Sequence, residues 1–177
     1  ATEKNFNKLY ALTGRRKTGI RKVVIVGGGI MGSMVAAYLM EGKHRPAGLF
    51  RRLVESFGEE RRRSVKIIDR DYERCKALSR QLPGALVIHA DISDEGVIEE
   101  EHFENSDLVI AVTSNQELNI VSAVYAKKLG ITRSIALVNK TTYTRIATQL
   151  GIDVPVSLKN SMVNTILKYI RRGNIKN

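Results

Sequence analysis

Residues 22–40 read Lys-Val-Val-Ile-Val-Gly-Gly-Gly-Ile-Met-Gly-Ser-Met-Val-Ala-Ala-Tyr-Leu-Met. Val23 to Val26 is a short, mostly β-branched run that suits a buried parallel strand. Gly27, Gly29 and Gly32 follow at the spacing G-x-G-x-x-G, and Ser33 to Met40 reads as an apolar helix. Strand, glycine turn and helix in that order form the context a dinucleotide fingerprint requires. Gly27 allows the tight turn, Gly29 lets a pyrophosphate approach the backbone, and Gly32 lets the helix pack on the strand. Amides at the helix start, at the positive end of its dipole, are placed to hold phosphates.

Two other readings fit this stretch less well. The uncharged run from Val23 to Met40 has the length of a minimal membrane span, about 18 residues, but three consecutive glycines weaken such a helix. A Walker-type phosphate loop needs Lys after its last glycine, and Ser33 follows Gly32.

Working outward, 1–21 is a polar, basic leader in which Thr-Gly-Arg-Arg-Lys-Thr-Gly at 13–19 resembles a linker. The segment 43–64 is read as an insertion, rich in arginine and containing Leu49, Phe50, Leu53, Val54 and Phe57 at helical spacing. Val65 to Ile68 is the second strand, ending at Asp69. An acid there accepts hydrogen bonds from adenosine ribose hydroxyls, or it caps the next helix. It stands 37 residues (69 − 32) past Gly32, against about 20 in the usual pattern; the insertion accounts for the surplus. The acid also disfavours a 2′-phosphate, which argues for NAD over NADP.

Helix 71–81, strand 86–88, an acidic helix over 97–101, strand 107–112, helix 115–129, strand 134–138, helix 141–150 and a short strand at 153–156 complete the alternation. This predicts an α/β fold: a Rossmann-type doubly wound parallel sheet of order 3-2-1-4-5-6, over 22–158. The ligand then lies across the carboxyl ends of the strands, near Gly27–Gly32, Asp69, Asp91 and Thr113-Ser114. A last amphipathic helix, with Met162, Val163, Ile166, Leu167 and Ile170 on one face, opens the segment 159–177 and is expected to pack on a second copy of the chain, the alternative being that it folds back on its own sheet.

The 177 residues suffice for one domain with a real core, and a lone cysteine, Cys75, excludes an internal disulfide. No zinc-type spacing links Cys75 with the three histidines, so no metal is expected. The net charge of +11 suits an anionic partner or simple solubility. No groove-reading element is legible, so nucleic acid is not expected. A small NAD-dependent oxidoreductase remains the alternative, yet the sequence supplies no nucleophile with its base. Tyr72 and Lys76 have the Tyr-x-x-x-Lys spacing of short-chain reductases, but they sit at the adenine end on a solvated face. His89 is placed to line the adenine pocket without a catalytic role, and Glu99 to Glu101 read as a solvated face.

The runs Val-Gly-Gly-Gly-Ile-Met-Gly, Ile-Ile-Asp-Arg-Asp, His-Ala-Asp-Ile-Ser-Asp and Ala-Val-Thr-Ser-Asn-Gln-Glu-Leu-Asn-Ile resemble the nucleotide-binding (RCK, KTN or TrkA-N) domain of TrkA-type potassium-uptake regulators. The ending from Val154 resembles the crossover helix that follows that domain. The resemblance implies a non-enzymatic regulatory subunit that binds NAD(H), with ATP or ADP in some members. It implies a homodimer or larger ring on a membrane potassium transporter, in the cytoplasm at the inner face of the cell membrane. It also implies the second domain of a tandem pair. Family contacts carry over to Gly27, Gly28, Gly29 and the Ile30 and Met31 amides for phosphate. They carry over to Asp69 for ribose, Asp91 and Ile92 for adenine, and Thr113 and Glu117 toward the far end, with Arg70 and Ser114 also expected to touch the cofactor. Triphosphate-sensing relatives often carry Arg where Ile30 stands, so ATP and ADP are less expected ligands.

Overall fold

A computed structural model describes residues 20–41 and 63–157. Most of the leader, nearly all of the 43–64 insertion and the 159–177 segment lie outside the described residues. Ile20, assigned to the leader by sequence, is buried in the core, and Ser64, assigned to the insertion, opens a strand.

Six strands form one parallel sheet: β1 Lys22–Val26, β2 Ser64–Asp69, β3 Leu86–His89, β4 Leu108–Ala111, β5 Arg133–Leu137 and β6 Val154–Val156, in the order 3-2-1-4-5-6. The helices are α1 Ile30–Glu41, α2 Tyr72–Gln81, α3 Glu95–Glu100, α4 Gln116–Lys128 and α5 Thr141–Gln149. β1 lies between β2 and β4, with Val26 opposite Ile68 on one side and Ala111 on the other. That central place explains its unbroken apolar run. Val23 and Ile25 enter the core that includes α1 and α2, whereas Val24 and Val26 enter the one that includes Ile98, Phe103 and Ala126. Each side of β1 is therefore covered. β6 is an edge strand, which suits Pro155.

Differences from expectation are local. α1 begins at Ile30, not Ser33, because Gly32 belongs to the helix rather than to the turn. A Cβ added at Gly32 would stand 1.8 Å from the Gly27 carbonyl oxygen, so only glycine lets α1 start this close to β1. The acidic helix begins two residues early, where the Asp94 carboxylate accepts from the Gly96 N–H at 3.1 Å. The sequence reading missed a 3-10 turn at Phe103–Asn105 that buries Phe103.

Candidate functional site

The strand ends open a crevice of about 360 Å³ where the chain direction across the sheet reverses between β1 and β4. Such a switch point is where ligands bind in open α/β sheets. Its lining includes Gly27 and Gly29 after β1, Asp69 and Arg70 at β2, Asp91 and Ile92 after β3, and Thr113 and Ser114 after β4. The fold brings those eight expected residues together.

Four others stand apart from the lining. Gly28 is buried, and its N–H donates to Asp69 Oδ2 at 2.6 Å. The Met31 side chain packs against the core, while that of Ile30 is 81% exposed. Glu117 is exposed at the start of α4, where a hydrogen bond from the Tyr143 hydroxyl holds its carboxyl below the usual range. The Ile30 and Met31 readings concerned amides, and those are available. The first intrahelical bond of α1 runs from Ser33 N to Gly29 O, so the preceding amides have no partner within the helix.

Gly27 has φ +101°, which favours glycine, and an added Cβ would lie 2.9 Å from Thr113 N. At Gly29 an added Cβ would meet nothing within 4 Å, so its exposed face opens a cradle beside the free amides. Phosphate fits that cradle: unpaired N–H donors, a helix start, and no side chain in between.

Asp69 is 7% exposed, and its carboxylate is well partnered. Oδ1 accepts from Asp71 N at 2.9 Å, and Arg74 Nη1 reaches Oδ1 and Oδ2 at 3.1 and 3.0 Å. Burial raises the carboxyl's pKa, but the Asp71 and Gly28 amides and the Arg74 guanidinium more than offset it. The net value falls below that of an ordinary aspartate, and the group is ionised. Asp69 is not the cap of α2. That role falls to Asp71, whose Oδ1 accepts from Arg74 N at 2.9 Å.

Behind the opposite wall, outside the lining, Asn119 is 1% exposed. Its Oδ1 accepts from Thr113 N at 2.8 Å and Thr113 Oγ1 at 2.7 Å. Its Nδ2 donates to Thr113 O at 3.0 Å and Leu137 O at 2.9 Å. The β4 loop is thereby tied to β5.

A family model, the TrkA-N domain, matches residues 48–158. The chain belongs to the TrkA-N domain family. It is 31% identical over 163 residues to the Trk system potassium uptake protein TrkA of Halomonas elongata, covering 92% of this chain and 31% of that one. It is 36% identical over 114 residues to the protein of that name from Haemophilus influenzae, covering 64% and 25%. The chain thus spans a third or less of these relatives. Among solved structures, the TrkA-N domain of the Escherichia coli inner membrane protein ybaL aligns with TM-score 0.65 at 16% identity, covering 85% of this chain and 96% of that one. The GsuK channel bound to NAD aligns with TM-score 0.60 at 20% identity, covering 95% and 26%.

The family match begins past the glycine turn, so at Gly27–Gly32 geometry carries the argument. In this TrkA-N domain the sequence reading gave no site role to eight crevice residues: Val26, Ile68, Ala90 and Val112 at the strand ends, and Asp71, Arg74, Asn115 and Leu118 beyond them. Asp71 and Asn115 are N-caps, a legible signal, and each cap fixes the residues beside it at the crevice. His89, expected at the adenine pocket, is absent from the lining. Its Nε2 lies 3.1 Å from Arg70 O, and its ring meets Tyr72 edge-on at 5.5 Å. Tyr72 is exposed with Lys76 Nζ 6.0 Å from its ring centroid, as a solvated face requires. Among the described residues no helix is long and apolar enough to cross a membrane, and no cluster of three or more His, Cys, Asp or Glu could hold a metal ion.

Proposed function

We propose that the crevice binds NAD(H) and that the chain is a regulatory, non-catalytic unit of a potassium uptake system. The observation that carries this reading is the meeting of the glycine turn and Asp69 at the sheet's switch point, with free amides at the start of α1. The pyrophosphate lies on Gly27–Gly29 and the Ile30 and Met31 amides, the adenosine ribose at Asp69, and the adenine by Asp91 and Ile92. The other half of the ligand runs toward Thr113, Ser114 and Glu117. The names of the relatives support potassium uptake as the setting, and the GsuK channel's bound NAD supports the ligand. The partner is a membrane potassium transporter, met at the inner face of the cell membrane by a homodimer or ring of this chain. No nucleic acid is involved.

Calorimetry tests the ligand. NADH is expected to bind at one per chain and to remain bound when ATP is added at equal concentration, because the exposed Ile30 offers no charge to a terminal phosphate. Displacement of NADH by ATP would reverse that order. Steady consumption of NADH with a carbonyl substrate would replace the regulatory reading with an oxidoreductase.

A further inference from the structure

The adenosine end of the crevice carries the carboxylates of Asp69, Asp71 and Asp91 and the guanidinium groups of Arg70 and Arg74. Every carboxylate there already has donors. Asp69 has two amides and Arg74. Asp71 has the Arg74 amide and lies 3.3 Å from Arg74 Nη2. Asp91 Oδ1 accepts from Ser93 N at 2.9 Å and Ser93 Oγ at 2.7 Å. Arg70 differs: among the described residues its exposed guanidinium has no hydrogen bond or ion pair. It lines the same crevice as Asp91. The group with unused hydrogen-bonding capacity is therefore a cation with five donors, directly after the acid that meets the ribose.

An acid at the end of the second strand selects against a 2′-phosphate when its charge is unopposed and its lone pairs face the ligand. Here the charge is opposed, and the lone pairs are shared with donors of the chain rather than left wholly to the ribose. Arg74 opposes the charge of Asp69 at 3.0 Å, and the amides of Gly28 and Asp71 occupy lone pairs on both oxygens. The planar fork of Arg70 suits a phosphate. We infer that Arg70 is a specificity-determining residue that accepts a 2′-phosphate on the adenosine ribose, so that the crevice takes NADP(H) nearly as well as NAD(H). This rests on the nucleotide reading above, and it narrows the preference for NAD that Asp69 suggests on sequence alone.

The test is the ratio of dissociation constants for NADPH and NADH, measured by nucleotide fluorescence on the whole chain at fixed salt. The ratio is expected below about 10 in the unaltered protein. It should widen about tenfold in Arg70→Ala and further in Arg70→Glu, whatever happens to NADH affinity itself. Lys128→Ala, at the far end of α4, controls for the overall charge of +11 and should leave the ratio unchanged. A ratio that Arg70→Ala does not move overturns the inference and leaves the nucleotide reading standing; it would mean that Arg70 stacks on adenine or stays in solvent. A ratio widened equally by Lys128→Ala also overturns it. Failure of both nucleotides to bind removes the nucleotide reading and this inference together.

Discussion

Asp69 at the end of β2 and Asn119 at the start of α4 each pin a loop of the crevice to the sheet, one with a charge and the other without. Asp69 joins the β1 loop to β2 through Gly28 N, with a half-exposed arginine backing it. Asn119 joins the β4 loop to β5 through an amide that uses both its donor and its acceptor ends. The charged pin can be loosened by acid or by a competing anion, and it faces the proposed ribose. The neutral pin is indifferent to both and is sealed in. One wall of the crevice is thus built to respond to a ligand and the other to stay fixed.

The largest effect is expected from breaking the neutral pin. Asn119→Leu takes the partner from the part-buried Thr113 N and Thr113 O and from the buried Leu137 O, and should cost about 3 kcal/mol in urea unfolding. A loss below about 1 kcal/mol would mean that the β4 loop holds its own shape. Next comes Asp69→Ala, which should weaken NADH binding by roughly 1–3 kcal/mol by stranding ribose hydroxyls. Unchanged affinity in calorimetry would take Asp69 out of the site.

Acid separates the two pins further. The folded carboxyl of Asp69 sits below its unfolded value, so its stabilising contribution is complete at neutral pH. It is lost only as pH falls through the folded value, below about pH 4. The stability gap between the unaltered protein and Asp69→Asn should therefore stay level from pH 8 to pH 5 and shrink in stronger acid. The gap for Asn119→Leu should stay level throughout. Shrinkage of the Asp69 gap between pH 7 and pH 5 would show that burial outweighs its donors. Arg74→Gln gives the smallest change. An arginine 45% exposed is well screened, and its loss should cost about 0.5–1 kcal/mol, less in high salt. A loss above about 2 kcal/mol would make Arg74 part of the core rather than a support for Asp69.

The sequence revealed the sheet order because each strand is an apolar run bounded by a breaker or a cap, as in Pro83-Gly84 before β3 and Gly130 before β5. It also revealed Asp69, 37 residues past Gly32, because an acid closing Val65–Ile68 stands where a ribose-binding acid is expected. It did not reveal Arg74. That residue reaches Asp69 only because Asp71 starts the helix where it does, so its place depends on a cap and a helical turn together. Asn119 was hidden differently. A lone polar residue beside Ile120 and Ala123 is readable as buried, but its partners in the β4 loop and β5 come from folding, not from spacing. Gly32 shows the limit of motif reading: the spacing was right, yet the helix starts ahead of it.

Cys75 gives the molecule a built-in clock. Its thiol is buried in α2, donating to Asp69 O at 3.3 Å and lying 3.7 Å from Ile88 O. Burial and the nearby Asp69 charge both raise its pKa. An alkylating reagent can reach it only when α2 lifts from β2 and β3, so the labelling rate counts those openings. With no second thiol in the chain, the signal comes from this one place. A nucleotide that bridges the glycine turn and Asp69 would slow the clock, which turns a single buried sulfur into a direct readout of how firmly the ligand closes the sheet.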